Sequence, residues 1–170
     1  NTAETATGMA YALGGGISTP GDVTIANTTI SANRADIGGG LRLSGGMQHV
    51  SSISDSTVSG NIAAVSTGGL WNKTALTISN STLAFNLTLH GSGLRGAAVY
   101  TATPLTLESS IIAGNGGSDG ANDLAGGPAA TASGADNLVF KSSLMLPMST
   151  TTGVCPKLDV LADNGGPTPT

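Results

Sequence analysis

Ile53-Ser54-Asp55-Ser56-Thr57-Val58-Ser59-Gly60-Asn61 decides the fold, because the chain writes it four times. Ile25-Ala26-Asn27-Thr28-Thr29-Ile30-Ser31-Ala32-Asn33 precedes it by 28 residues. Ile78-Ser79-Asn80-Ser81-Thr82-Leu83-Ala84-Phe85-Asn86 follows it by 25, and Leu107-Glu108-Ser109-Ser110-Ile111-Ile112-Ala113-Gly114-Asn115 by a further 29. A glycine-rich block recurs in step: Gly14-Gly15-Gly16-Ile17, Gly38-Gly39-Gly40-Leu41, Gly68-Gly69-Leu70 and Gly96-Ala97-Ala98-Val99. A period of this length marks a repeat architecture in which each unit buries its apolar face only by stacking on its neighbours.

Within each unit the aliphatic residues alternate. Val23 and Ile25 flank Thr24, Leu76 and Ile78 flank Thr77, and Leu105 and Leu107 flank Thr106. A period of two is a strand with one buried face. Further inward positions follow at Ile30, Val58, Leu83 and Ile112, and the glycine block adds Ile17, Leu41, Leu70 and Val99. Each unit therefore reads as three short strands separated by corners. No helical period runs through the units, which argues against leucine-rich and ankyrin-type arrays. The expected fold is all-β: a parallel β-helix, or β-solenoid, of about four regular coils plus an irregular C-terminal coil. Residues 1–140 form the coils and 141–170 an irregular C-terminal extension.

Asn33, Asn61, Asn86 and Asn115 fall at one corner of successive coils, where side-chain amides can bond along the stack as a ladder. Asn1 stands at the right place to join that column. A plain turn residue that tolerates left-handed backbone is the alternative for each. Glycine suits the tight corners and the close approach of neighbouring coils. The segments after Asn1 and Asn86 are the longest, and Ser44 to His49 is an insertion in the second coil. Insertions in repeats map to one side, often the binding side. After Asn115 the pattern loosens. Asp123-Leu124 and Asn137-Leu138-Val139 read as strands of the last coil, with Val139 on its outward edge, and Lys141 to Gly153 reads as a loop.

Composition narrows the function classes. Only 9% of residues are charged, and the net charge is −4 with no basic cluster, which argues against nucleic acid. No apolar run is long enough to span a membrane. Cys155 is the single cysteine, so no internal disulfide forms and no metal site can be built on paired cysteines. Four Asn-x-Ser/Thr sequons, at Asn27, Asn72, Asn80 and Asn86, are expected by chance in such a composition.

The repeats resemble the right-handed parallel β-helices of bacterial surface and secreted proteins, including polymorphic outer-membrane protein repeats. Ser110-Ile111-Ile112-Ala113-Gly114-Asn115, Asn137-Leu138-Val139 and Leu161-Ala162-Asp163-Asn164-Gly165-Gly166-Pro167-Thr168-Pro169-Thr170 resemble the choice-of-anchor Q class of bacterial surface proteins. The resemblance implies a right-handed coil and an exported, extracellular or cell-surface bacterial protein, with a sorting segment further along the gene product. The chain begins mid-coil and reads as a fragment or a mature product. The class carries no universal catalytic residues, so none is transferred.

Polysaccharide lyases and hydrolases on this kind of scaffold need two or three carboxylates on adjacent coils, with a cation or an arginine. The carboxylates here stand singly. Asp55 shares its column with Asn27, Asn80 and Ser109, and Glu108 with Ala26, Ser54 and Ser79; Asp22 and Asp36 fall at different corners, as do His49 and His90. Solvated surface charge is the plainer reading of all of them. Gly116 to Asp123 faintly resembles a calcium-binding Gly/Asp repeat but occurs once and misses the nonapeptide spacing, so no catalytic residue, metal site or cofactor is assigned.

Two outward columns remain. The residue after each glycine-block aliphatic is Ser18, Arg42, Trp71 and Tyr100. Arg42, Trp71 and Tyr100 side by side make a cation–π row and a platform for sugar rings, or are merely covered by a loop or partner. Thr24, Ser52, Thr77 and Thr106 make a hydroxyl file that would order water, as in ice-binding β-solenoids, or simply follow β-propensity. The leading expectation is a non-enzymatic structural or adhesive module, assembling end to end into filaments through its open edges, with a glycan or host-surface ligand. A carbohydrate-binding module or polysaccharide lyase or hydrolase is the rival, and an ice-binding solenoid the lesser one.

Overall fold

The computed structural model describes residues 1–5, 8, 10–90, 96–117, 120–159 and 161–163. Every strand pair in it is parallel, and no helix occurs among the described residues. The first coil runs through β1 (Ile17–Thr19), β2 (Val23–Ala26), β3 (Thr29–Ser31) and β4 (Arg34–Ile37). The second runs through β5 (Leu41–Leu43), β6 (Val50–Ser54), β7 (Thr57–Ser59) and β8 (Ile62–Ser66), and the third through β9 (Leu70–Asn72), β10 (Ala75–Ser79), β11 (Thr82–Ala84) and β12 (Leu87–Thr88). The fourth is β13 (Val99–Thr101), β14 (Leu105–Glu108), β15 (Ile111–Ala113) and β16 (Gly116–Gly117). A looser fifth holds β17 (Leu124–Gly126), β18 (Ala132–Ala135) and β19 (Leu138–Val139), and β20 (Thr151–Thr152) pairs beyond it.

Like strands stack into four sheets, ordered β1-β5-β9-β13-β17, β2-β6-β10-β14-β18, β3-β7-β11-β15-β19-β20 and β4-β8-β12-β16. This is a parallel β-helix with four faces per coil, where the sequence pattern predicts three. The fourth face escapes that pattern for a physical reason. Its inward residues are Ala35, Ala63 and Thr88, all buried, and none is a large aliphatic. They fill a narrow side of the interior, so no strong hydrophobic alternation marks them.

The core follows the predicted columns. Ile25, Ile30, Leu41, Ile53, Val58, Leu70, Leu76, Ile78, Leu83, Val99, Leu105, Leu107 and Ile112 form one buried cluster, with Ile17 and Val23 partly buried against it at the N-terminal side. Leu43, Leu124 and Val139 extend it. Val139 is therefore fully buried and lies inside a sheet, paired with Ile112 on one side and Thr152 on the other, not on an outward edge. The stretch read as a loop from Lys141 continues the pairing: the Leu124 N–H donates to the Lys141 carbonyl, Thr151 N–H to Asn137, and Gly153 N–H to Phe140.

The corners explain the small and polar residues. Asn27, Asp55, Asn80, Ser109 and Asp136 all take left-handed backbone, with φ between 47° and 58°. Asn and Asp are the side chains that adopt this conformation most readily. The glycine block answers a different demand. A Cβ on Gly39 would meet the carbonyl oxygens of Gly68 and Ile62, each at 2.5 Å, so successive coils touch there backbone to backbone.

Candidate functional site

Three polar columns run through the stack. The first joins Asn33 Nδ2 to Asn61 Oδ1 at 2.9 Å, Asn61 Nδ2 to Asn86 Oδ1 at 3.0 Å, and Asn86 Nδ2 to Asn115 Oδ1 at 3.0 Å. Asn1 Nδ2 donates to Asn33 Oδ1 at 3.1 Å, which puts Asn1 in the same column. The amide oxygens of Asn61, Asn86 and Asn115 also accept the backbone N–H of the preceding member, and each Nδ2 from Asn61 onward reaches backbone carbonyls of its own coil and the one before. The column ends on Asp123, whose Oδ1 accepts Asn115 N and Nδ2, both at 2.9 Å, while Oδ2 accepts Lys141 N at 3.1 Å. Burial raises the Asp123 carboxyl above the ordinary value, against the lowering effect of these N–H donors and of the Lys141 charge.

Sequence reasoning does not single out the second column. Ser56, Ser81 and Ser110 each donate the hydroxyl to the carbonyl two residues earlier and accept the backbone N–H of the preceding coil; Asn137 Oδ1 accepts Ser110 N at the end. Its signal is the Ser, Thr or Asn that follows each left-handed corner residue: Thr28, Ser56, Ser81, Ser110 and Asn137. The third is a buried knot in which Asn72 Nδ2 reaches Thr101 Oγ1 at 3.0 Å and Thr103 Oγ1 at 3.2 Å. Of the sequons, Asn72 and Asn86 are fully buried, while Asn27 and Asn80 are exposed.

The outward row is in strict register: Ser18 beside Arg42, Arg42 beside Trp71, Trp71 beside Tyr100, and then Ala125. The Trp71 and Tyr100 rings stack with centroids 6.2 Å apart and planes 21° apart. The Arg42 guanidinium carbon lies 5.3 Å from the indole centroid, and Lys73 Nζ lies over the same ring at 5.0 Å. The sequence gives no hint of Lys73, because it stands just past the end of β9. Arg42 Nη1 donates to Ser44 Oγ at 3.0 Å, which fixes the guanidinium along the row.

Beside this row is an open groove of about 610 Å³. Tyr11 lines it from the segment stacked before the first coil and Ile37 from the first, Val65, Trp71 and Lys73 from the second and third, and His90 and Tyr100 from the third and fourth. Tyr11 belongs to the long segment after Asn1 and His90 to the long segment after Asn86, so the two longest segments converge on the aromatic row. Gly91 to Arg95 of the latter lie outside the described residues.

The remaining candidates are dispersed. His49 Nδ1 contacts Asp22 Oδ1 at 2.9 Å, away from His90. Asp22 also accepts Val50 N, and this bond, with His49, holds its carboxyl below the ordinary range. Asp36 Oδ2 accepts Ala12 N, Asp55 accepts Asn80 Nδ2, and Glu108 Oε2 accepts Ala135 N. Among the described residues no three His, Cys, Asp or Glu side chains converge as a metal site would require. Ser118 and Asp119 of the Gly/Asp loop and residues 164–170 of the terminal motif lie outside the described residues. The hydroxyl file Thr24, Ser52, Thr77, Thr106 is in register and Ser133 extends it. The next outward file reads Ala26, Ser54, Ser79, Glu108, Ala135, so a carboxylate interrupts the flat hydroxyl surface.

No described helix is long and apolar enough to cross a membrane. No family model matches the chain, and no curated protein and no solved structure matches it.

Proposed function

We propose that this chain is a non-enzymatic structural or adhesive module of an exported bacterial surface protein, a stiff rod that holds an aromatic and cationic row on one side. The observation that carries the reading is the way the polar side chains are used. The asparagine and serine columns and the Asn72 knot are bonded internally from coil to coil, which ties each repeat to the next and resists bending and slippage. The carboxylates of Asp22, Asp36, Asp55, Glu108 and Asp123 each accept hydrogen bonds from local partners, and no two of them are bonded to a common group.

A carbohydrate-binding role is the second reading, favoured by the groove lined by Trp71, Lys73 and Tyr100. The rod reading is tested by incubating the protein with pectin, alginate and neutral polysaccharides and by measuring its shape in solution. An extended particle that releases no new chain ends supports it. Reproducible cleavage that disappears when a neighbouring pair of carboxylates is replaced overturns it.

A further inference from the structure

The groove beside the aromatic row has positive charge in a chain that is negative as a whole. The chain carries six lysines and arginines in all and a net charge of −4. Two of those six cations, Arg42 and Lys73, sit at one tryptophan. Lys73 lines the groove with His90 and the two tyrosines Tyr11 and Tyr100, Arg42 lies next to it on β5, the strand paired with that of Trp71, and no carboxylate is among the described lining residues. The nearest acidic residue in sequence to a lining position is Asp36, whose Oδ2 already accepts Ala12 N at 2.8 Å.

The indole is not free to act as a bare platform. Tyr100 stacks on it, and both cations lie over it within the range of a cation–π contact. A neutral sugar that needs an open ring face would have to displace one of them. An anionic group meets the opposite situation: the ammonium and the guanidinium are held in place by the ring and by Ser44, ready to make charge-assisted hydrogen bonds.

The lining is also repetitive. Successive coils contribute one residue each to one side, Tyr11, Ile37, Val65 and His90, while Trp71 and Tyr100 stand on the neighbouring sheet. They advance by about one strand spacing, ~4.8 Å, per coil. That step is close to the length of one pyranose unit. A linear chain of sugars laid along the coil axis would meet lining residues from each coil in turn, whereas a single small anion would use only one step. The groove's volume lies in the range of ordinary ligand sites.

We infer that this groove binds an anionic polysaccharide, with Arg42 and Lys73 holding its carboxylate or sulfate groups and Tyr11, His90 and Tyr100 contacting the sugar hydroxyls. The inference rests on the adhesive side of the function proposed above and names its ligand class.

The test is calorimetric titration of the intact chain with oligogalacturonate, an oligosaccharide of sulfated sugars, the neutral cellohexaose and inorganic phosphate. The expected result is saturable binding of an acidic oligosaccharide that weakens as salt rises, with cellohexaose far weaker. Lys73→Gln and Arg42→Gln should each weaken binding about tenfold. Thr77→Ala, on a different sheet, should leave it unchanged, and melting temperatures of Lys73→Gln and Arg42→Gln equal to that of the wild type show that lost binding is not unfolding. The carboxylated and sulfated arms separate the two sources of charge. Equal affinity for neutral and acidic chains overturns the inference, as does affinity unaltered by both cation variants, or full competition by phosphate at matched concentration. A stiff, non-cleaving rod that binds no acidic chain removes this inference and leaves the scaffold. Cleavage of a bound acidic chain removes the scaffold reading and leaves the binding.

Discussion

Asn61 shows how much one side chain carries in this fold. It is fully buried, its Oδ1 accepts Asn33 N and Nδ2, and its Nδ2 reaches Asn86 Oδ1 and the carbonyls of Ile30 and Ser59. Asn61→Ala leaves buried donors on Asn33 and buried carbonyls without partners, so it should destabilise by about 2–3 kcal/mol in denaturant unfolding. A change within about 0.5 kcal/mol would mean that the amides act as plain turn residues. Asp123 is a different case at the same scale. Its folded carboxyl is raised by burial, so the folded chain takes up the proton more readily than the unfolded one. The sign follows: its contribution to stability is full below the unfolded value of about 3.9 and is lost as pH rises through the folded value. Melting temperatures measured from strongly acid to neutral pH should show this loss in the wild type. Asp123→Asn should remove that part of the slope. It should also put an amide NH₂ against one of the N–H donors now facing the two oxygens. An unchanged pH profile in the variant would exclude Asp123 as the titrating group.

At the scale of the strand, the second coil carries an anomaly. Ser51 stands in register with Val23 and Leu76, at an inward position where the other coils place an aliphatic residue. It is buried, and its hydroxyl has no hydrogen-bond partner among the described residues. Ser51→Ala should stabilise the protein by about 1 kcal/mol, read as a shift in the denaturant midpoint at constant slope. A loss of stability would show that the hydroxyl is satisfied in solution. The same register shows what the sequence makes legible. Period-two alternation of large aliphatics identifies the three faces built on Ile, Leu and Val. The fourth face, lined by Ala35, Ala63 and Thr88, carries too little hydrophobic contrast to be seen. The serine column escaped for a related reason: a serine in a chain rich in serine gains meaning only once the left-handed corner before it is known. Of the groove and the row beside it, Arg42, Trp71 and Tyr100 follow from the repeat, because register fixes them. Lys73, Tyr11 and His90 do not, because they reach the groove from segments that lie outside the repeated pattern.

For the whole molecule, the consequence of parallel stacking is that each sheet ends in an edge strand with one unmatched ladder side. Among the described residues β20 is the outermost strand of its sheet, and both Thr151 and Thr152 are exposed. The buried Val139, one strand in from the edge, is the wrong place to interrupt it: Val139→Pro would break the core before it could report on assembly. If rods join end to end by β-pairing, the informative variant is Thr152→Pro, which removes one backbone donor at the outer strand and leaves the aliphatic core untouched. Sedimentation at rising concentration should then show self-association in the wild type and less of it in Thr152→Pro, with equal melting temperatures. Thr152→Lys should act in the same direction and more strongly at low salt, since added like charge opposes the approach of a second edge. A wild type that stays monomeric at high concentration removes end-to-end pairing through this strand. Association that persists in both variants moves the contact elsewhere on the rod, and the cationic groove is then the first face to examine, because the chain's net negative charge gives another copy a reason to dock there.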